Sequence, residues 1–144
     1  MLFELINNFS DGYKFNNIEI QNIISKIAAN EDQTIKSINL ILSTDIHLNK
    51  LKKQYFQKDH YTDVISFNLE DEGDLIDGEI YISVDRIIDN ANKFNCNSNE
   101  ELKRIIIHGV LHLIGYNDAN KEEKETMTNL ENFYMSKCSQ SIII

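Results

Sequence analysis

Between Leu102 and Ile114 the chain reads Leu-Lys-Arg-Ile-Ile-Ile-His-Gly-Val-Leu-His-Leu-Ile. Leu102, Ile105, Ile106, Ile107, Val110, Leu111, Leu113 and Ile114 cover most of a helix circumference, which predicts a helix buried in the core rather than laid on its surface. His108 and His112 interrupt that apolar coat. Four residues at about 100° each overshoot one turn by only ~40°, so the two imidazoles leave the same face one turn apart. Arg104 and Glu101 extend the strip backwards. A buried helix with a single polar stripe is an element that lines a cleft.

Two imidazoles on one face can fill two corners of a metal tetrahedron, and a third donor must then come from chain that has turned back. Gly115 supplies the turn, because glycine past a helix end adopts the left-handed conformation without a Cβ clash. Asp118 follows three residues later and completes a His, His, carboxylate set, with the fourth position left to water as in catalytic zinc sites. The spacing His-x-x-x-His-x-x-Gly-x-x-Asp resembles the metzincin ligand frame. It departs in one residue: Gly109 stands where zincins carry the Glu that acts as general base. A hydroxide source must then come from the metal chemistry itself or from a base elsewhere.

The run His108-Gly-Val-Leu-His112-Leu-Ile-Gly115-Tyr116 is similar to the signature of the YbeY-like endoribonucleases. A second block of that family, an Asn and a Tyr followed by Asp-x-x-Thr-Asp-Val-x-Ser-Phe, is matched by Asn49 and by Tyr55 through Phe67. The resemblance spans roughly residues 35 to 135. It implies a small mixed β-sheet packed by helices, with the metal in a cleft. It also implies a metal-dependent, single-strand endoribonuclease acting in ribosomal RNA maturation and small-subunit quality control, with ribosomal RNA or the ribosome as partner. Four residues, at three places, differ from the family pattern. Asn117-Asp118 replaces Asp-His, Phe56 replaces an Arg, and Tyr61 replaces a Pro.

The carboxylate hardens the ligand set, so the single divalent metal is expected to be zinc, with Mn, Ni or Fe(II) as competitors. From the second block, Asp63 is a candidate to orient a ligand. Lys58, and Arg104 on the metal helix, are candidates to meet phosphate. Two other functions fit the same residues. One is a ribosome-assembly or RNA-binding factor whose metal is mainly structural; the other is a metallopeptidase-type hydrolase lacking its Glu.

Charge bears on this choice. The formal net charge is −9, so the overall field opposes nucleic acid and only a local basic patch can help. Lys50, Lys52, Lys53 and Lys58 are such a patch. The 144 residues suit one domain, 1–144, able to bury a core without disulfides. No apolar run approaches the ~18 residues of a membrane span, and no secretion signal is legible at the N-terminus. Cys96 and Cys138 lack metal spacing and suit a reducing cytoplasm.

The remaining pattern predicts an α+β fold. Strands are expected at Leu2 to Phe9 and Ser37 to Ser43. Val64 to Leu69 and Glu79 to Val84 should pair across an acidic turn whose Asp71, Glu72, Asp74 and Asp77 read as solvated. Helices are expected from Ile18 (capped by Asn17), from Thr44 or Asp45 to Gln54, from Asp85 to Phe94, and from Ser98 as cap of the histidine helix. A last helix, started by an Asn120/Glu123 capping box, carries Met127, Leu130, Phe133 and Tyr134.

Overall fold

The computed structural model describes residues 1–10, 12–60, 62–70 and 75–144. Tyr61 and the acids at 71, 72 and 74 lie outside them. In chain order the elements are β1 (Leu2–Asn7), α1 (Asn17–Asn30), β2 (Ile35–Ser43), α2 (Asp45–Phe56), β3 (Val64–Asn68), β4 (Ile76–Ser83), α3 (Val84–Lys93), α4 (Ser98–Ile114) and α5 (Lys121–Ser136). The sheet order is β1-β2-β4-β3. β1, β2 and β4 run parallel and β3 is the antiparallel edge, so the sheet is mixed. The expected pairing of β3 with β4 is present, with Val64 opposite Ile82 and Asn68 opposite Gly78. Asp77, read as solvated, instead lies in β4 and accepts a hydrogen bond from Ser37 Oγ.

Which side each helix covers decides where the site falls. Successive strand residues point to opposite faces. Val64 and Ser66 of β3 meet α4 at Gly109, whereas Phe67 meets Tyr55 and Phe56 of α2. The two helices therefore flank opposite faces of the edge strand. α4 is buried as its composition requires: Leu102, Ile106, Ile107, Val110 and Leu111 are at most 1% exposed. They pack with Ile20, Ile24 and Ile27 of α1 and Ile38, Leu40 and Leu42 of β2. Among the described residues no helix is long and apolar enough to cross a membrane, and both cysteines are free.

Several boundaries differ from expectation for one reason. The α1 cap is Asn16, whose side chain accepts from Glu19 N, and the α4 cap is Asn97, accepting from Glu100 N at 2.8 Å. Asn17 and Ser98, the expected caps, are already the first helical residues. In each case the residue that caps is the one whose side-chain oxygen lies three positions before a free amide. The Asn120/Glu123 capping box of α5 is formed as expected. The inward face of α5 is not. Phe133 is 43% exposed, and Glu131, a carboxylate, is buried with Met127 and Tyr134. The C-terminal isoleucines are packed: Ile142 is fully buried, its amide bonded to Asn99 Oδ1 at 2.7 Å.

One polar hub ties the helices together near the end of α4. Glu31, at the C-cap of α1, accepts hydrogen bonds from the hydroxyls of Tyr116 (2.5 Å) and Tyr134. Burial raises the Glu31 pKa, but the bonds from Tyr116, Tyr134 and Asn30 outweigh it and hold the carboxyl below its usual value. Burial and the Glu31 bond push the Tyr134 phenol up to about 12. The hub fixes the loop that leads from α4 to Asp118.

Candidate metal centre

His108 and His112 leave α4 on one face, as their spacing requires. Their Nε2 atoms approach to 3.0 Å. Asp118 Oδ2 lies 3.3 Å from His108 Nε2 and 3.5 Å from His112 Nε2. It is brought there by the turn at Gly115, whose φ is +118°, a conformation that side-chain-bearing residues rarely adopt. The three donors fall within 4.8 Å of one another.

What lies behind the rings fixes how they present themselves. His108 Nδ1 is 2.7 Å from Glu131 Oε2. His112 Nδ1 is 2.9 Å from the carbonyl oxygen of Tyr116. Both partners accept only, so each Nδ1 carries the hydrogen and each Nε2 presents a lone pair to the common point. Two lone pairs at 3.0 Å beside a carboxylate repel unless a proton or a cation stands between them. The donor set therefore fits one divalent cation. The surrounding charge has the same sense. Burial disfavours the charged form of His108, but the hydrogen bond and charge of Glu131, with Asp118 and Asp63, outweigh it and raise its pKa above 6.5.

The group opens on a cleft of about 430 Å³ at the sheet edge. α2 contributes Lys52 and Phe56 to its wall, and β3 and the turn before it contribute Thr62, Asp63 and Ser66. Asp63 lines this cleft. Its carboxyl accepts from its own amide and that of Val64, while burial pushes its pKa up. The groups that hold the imidazoles from behind are Glu131 and Tyr116, not Asp63. Arg104 is turned away from the cleft and braces Glu131, with Nη1 at 3.2 Å from Oε1 and Nη2 at 3.0 Å from Asn132 Oδ1. Lys58, past the end of α2, is exposed and absent from the cleft wall; Lys52, six residues earlier and on the helix, is in it.

Glu131 was missed, and Lys52 was read only as one member of the basic patch. Glu131 had a legible signal, since it occupies the position four after Met127, in register with the apolar stripe of α5. A charged residue in such a stripe needs a partner.

An α+β domain with a His, His, Asp group at an open cleft defines the class of small hydrolases able to hold one divalent cation. The comparisons narrow the class. The family model described as endoribonuclease YbeY matches residues 5–139, and the chain belongs to that family. It is 41% identical over 113 residues to the endoribonuclease YbeY of Christiangramia forsetii, covering 78% of each chain. It is 42% identical over 109 residues to that of Karelsulcia muelleri, covering 76% of this chain and 77% of the relative. Among solved structures, the solution structure of TM1509 from Thermotoga maritima superposes with a TM-score of 0.63 at 25% identity. That match covers 95% of this chain and 89% of the other.

Proposed function

We propose that this protein is a metal-dependent endoribonuclease that cuts single-stranded regions of ribosomal RNA during maturation, with residues 1–144 acting as one unit. The reading rests on one observation: in a chain of the endoribonuclease YbeY family, both imidazoles are oriented from behind so that three donors converge on a cleft. His108, His112 and Asp118 would hold a divalent metal. Zinc comes first, with Mn, Ni or Fe(II) as competitors for the carboxylate-containing set. Such a metal supplies Lewis acidity toward a phosphoryl oxygen and lowers the pKa of a water.

The rest falls to the protein. Glu131 and the Tyr116 carbonyl keep both Nε2 lone pairs aimed inward. Asp63, the carboxylate that lines the cleft outside the donor group, takes the proton from the attacking water; its raised pKa brings it closer to the range where a base works near neutrality. The ribosome, in the cytoplasm, is the partner this role requires. A mainly structural metal is disfavoured because the donor group faces the cleft instead of being enclosed.

The test is the metal content of protein prepared without chelators, with cleavage of structured ribosomal RNA measured before and after metal removal and re-addition. One metal per chain with cleavage that follows the metal supports the nuclease. One metal without any cleavage supports the assembly factor instead.

Glu131→Gln keeps the shape but removes the charge facing His108 and Arg104. Metal affinity should fall roughly 10–100-fold, read by competition with a chelating dye. An unchanged affinity would reduce Glu131 to a packing role.

A further inference from the structure

We infer that Lys52, carried on the ring of Phe56, is the phosphate-binding cation of the cleft and contacts the backbone of the bound RNA strand. The inference rests on the nuclease reading and deepens it. Lys52 is the one cationic side chain among the described residues that lines the cleft with His108, His112 and Asp118. The other basic candidates are placed elsewhere. Lys58 and Lys50 are exposed away from the wall, Lys53 pairs with Asp59 at 3.5 Å, and Arg104 is held by Glu131 and Asn132.

Lys52 is also held in place. Its Nζ lies 4.7 Å from the centroid of the Phe56 ring, one helical turn along α2. Phe56 stacks on Phe67 of β3 at 5.8 Å and 22°, and Phe67 meets Tyr81 of β4 edge-on at 5.9 Å. The ammonium thus sits at the end of an aromatic series anchored in the sheet, so little side-chain freedom is lost when an anion arrives.

Its charge is unspent. Among the described residues no carboxylate lies within ion-pair distance of Lys52. Burial and the like charge of Lys58 hold its pKa below the usual lysine value, and the more weakly felt Asp118 and Asp63 do not offset them. A half-buried, unpaired ammonium facing the donor group is an arrangement that a phosphodiester completes. Phe56, 40% exposed, offers apolar surface beside it on which a base of a single strand can rest.

The experiment uses the full chain and a short fluorescent single-stranded RNA oligonucleotide, with metal removed during the binding titrations so that the RNA stays intact and cleavage read separately after metal is restored. Anisotropy titrations are run between 50 and 200 mM salt on wild type, Lys52→Met, Lys52→Arg and Lys58→Met. Lys52→Met should bind about tenfold more weakly at low salt and lose about 0.7 from the slope of log affinity against log salt, the share of one phosphate on a single strand. Lys52→Arg should restore the slope, and Lys58→Met should leave it unchanged. All variants should take up metal as wild type does, which a general disturbance of the site would not allow. A Lys52→Met slope equal to wild type, or an equal loss in Lys58→Met, overturns the assignment of Lys52 alone, provided wild type binds and cleaves. Wild type that neither binds nor cleaves the RNA overturns the nuclease reading and this inference with it.

Discussion

His112→Ala should leave a folded protein that no longer carries stoichiometric metal and no longer cuts RNA. The fold tolerates the change because the ring stands on the cleft side of α4, with its side chain 28% exposed, and the core residues beside it are untouched. The metal does not tolerate it. One of three donors is gone, and the remaining pair of His108 and Asp118 lacks the enclosing geometry of a tight site. His108→Ala should do the same and should also leave Glu131 and Arg104 without the imidazole they brace. Elemental analysis of each variant after dialysis against metal-free buffer gives the answer, with a thermal melt confirming the fold. One tight metal per chain in both variants would sink the ligand assignment. Asp118→His is the complementary change. It replaces oxygen by an imidazole at the same turn, so binding should survive, with preference moved toward softer metals. Complete loss of metal in that variant would show that Asp118 is not the third donor.

How much of this centre could be read from the chain follows from how local each part is. The helix, the face shared by His108 and His112, and the turn at Gly115 depend on spacings of four and three residues, and local geometry carries them. Asp118 followed because it is tethered to that turn. Glu131 is different: it reaches His108 from the far helix, 23 positions along the chain, and only the packing of α5 against α4 brings it there. The choice between Lys52 and Lys58 was equally out of reach. Both belong to one basic cluster, and which of them faces the cleft depends on how α2 is rolled against Phe67 and on the left-handed turn at Gln57, past which Lys58 lies. β3 and β4 paired as their β-branched runs implied. The caps of α1 and α4 slipped by a residue, because neighbouring Asn and Ser residues compete for the same role and only the position of the free amide decides.

Gly109→Glu, which would rebuild the base found in zincins, should instead break the protein. The reason lies in where position 109 points. A Cβ placed there would meet Ile80 Cγ2 at 3.0 Å, with Ser66 Oγ and Val64 Cγ2 both at 3.2 Å. Ser66 Oγ also donates to the Gly109 carbonyl at 2.9 Å, so α4 is seated on β3 and β4 as closely as a glycine permits. A single methyl at this point already overpacks the seam. Gly109→Ala should therefore cost at most ~2 kcal/mol, an overpacking term of up to ~3 kcal/mol offset by the ~1 kcal/mol that Ala gains over Gly in a helix. A glutamate adds a longer chain ending in a carboxylate, and that charge has no partner in the seam. Its cost should be ~3 kcal/mol or more, a fall of roughly 10 °C in Tm, read by circular dichroism. If Gly109→Glu melts with the wild type, its side chain has reached the cleft, and the seam does not exclude a base at this position. If it melts early, the glycine is a packing requirement of α4 against the edge strand. Asp63, which lines the cleft, then remains the proposed proton acceptor.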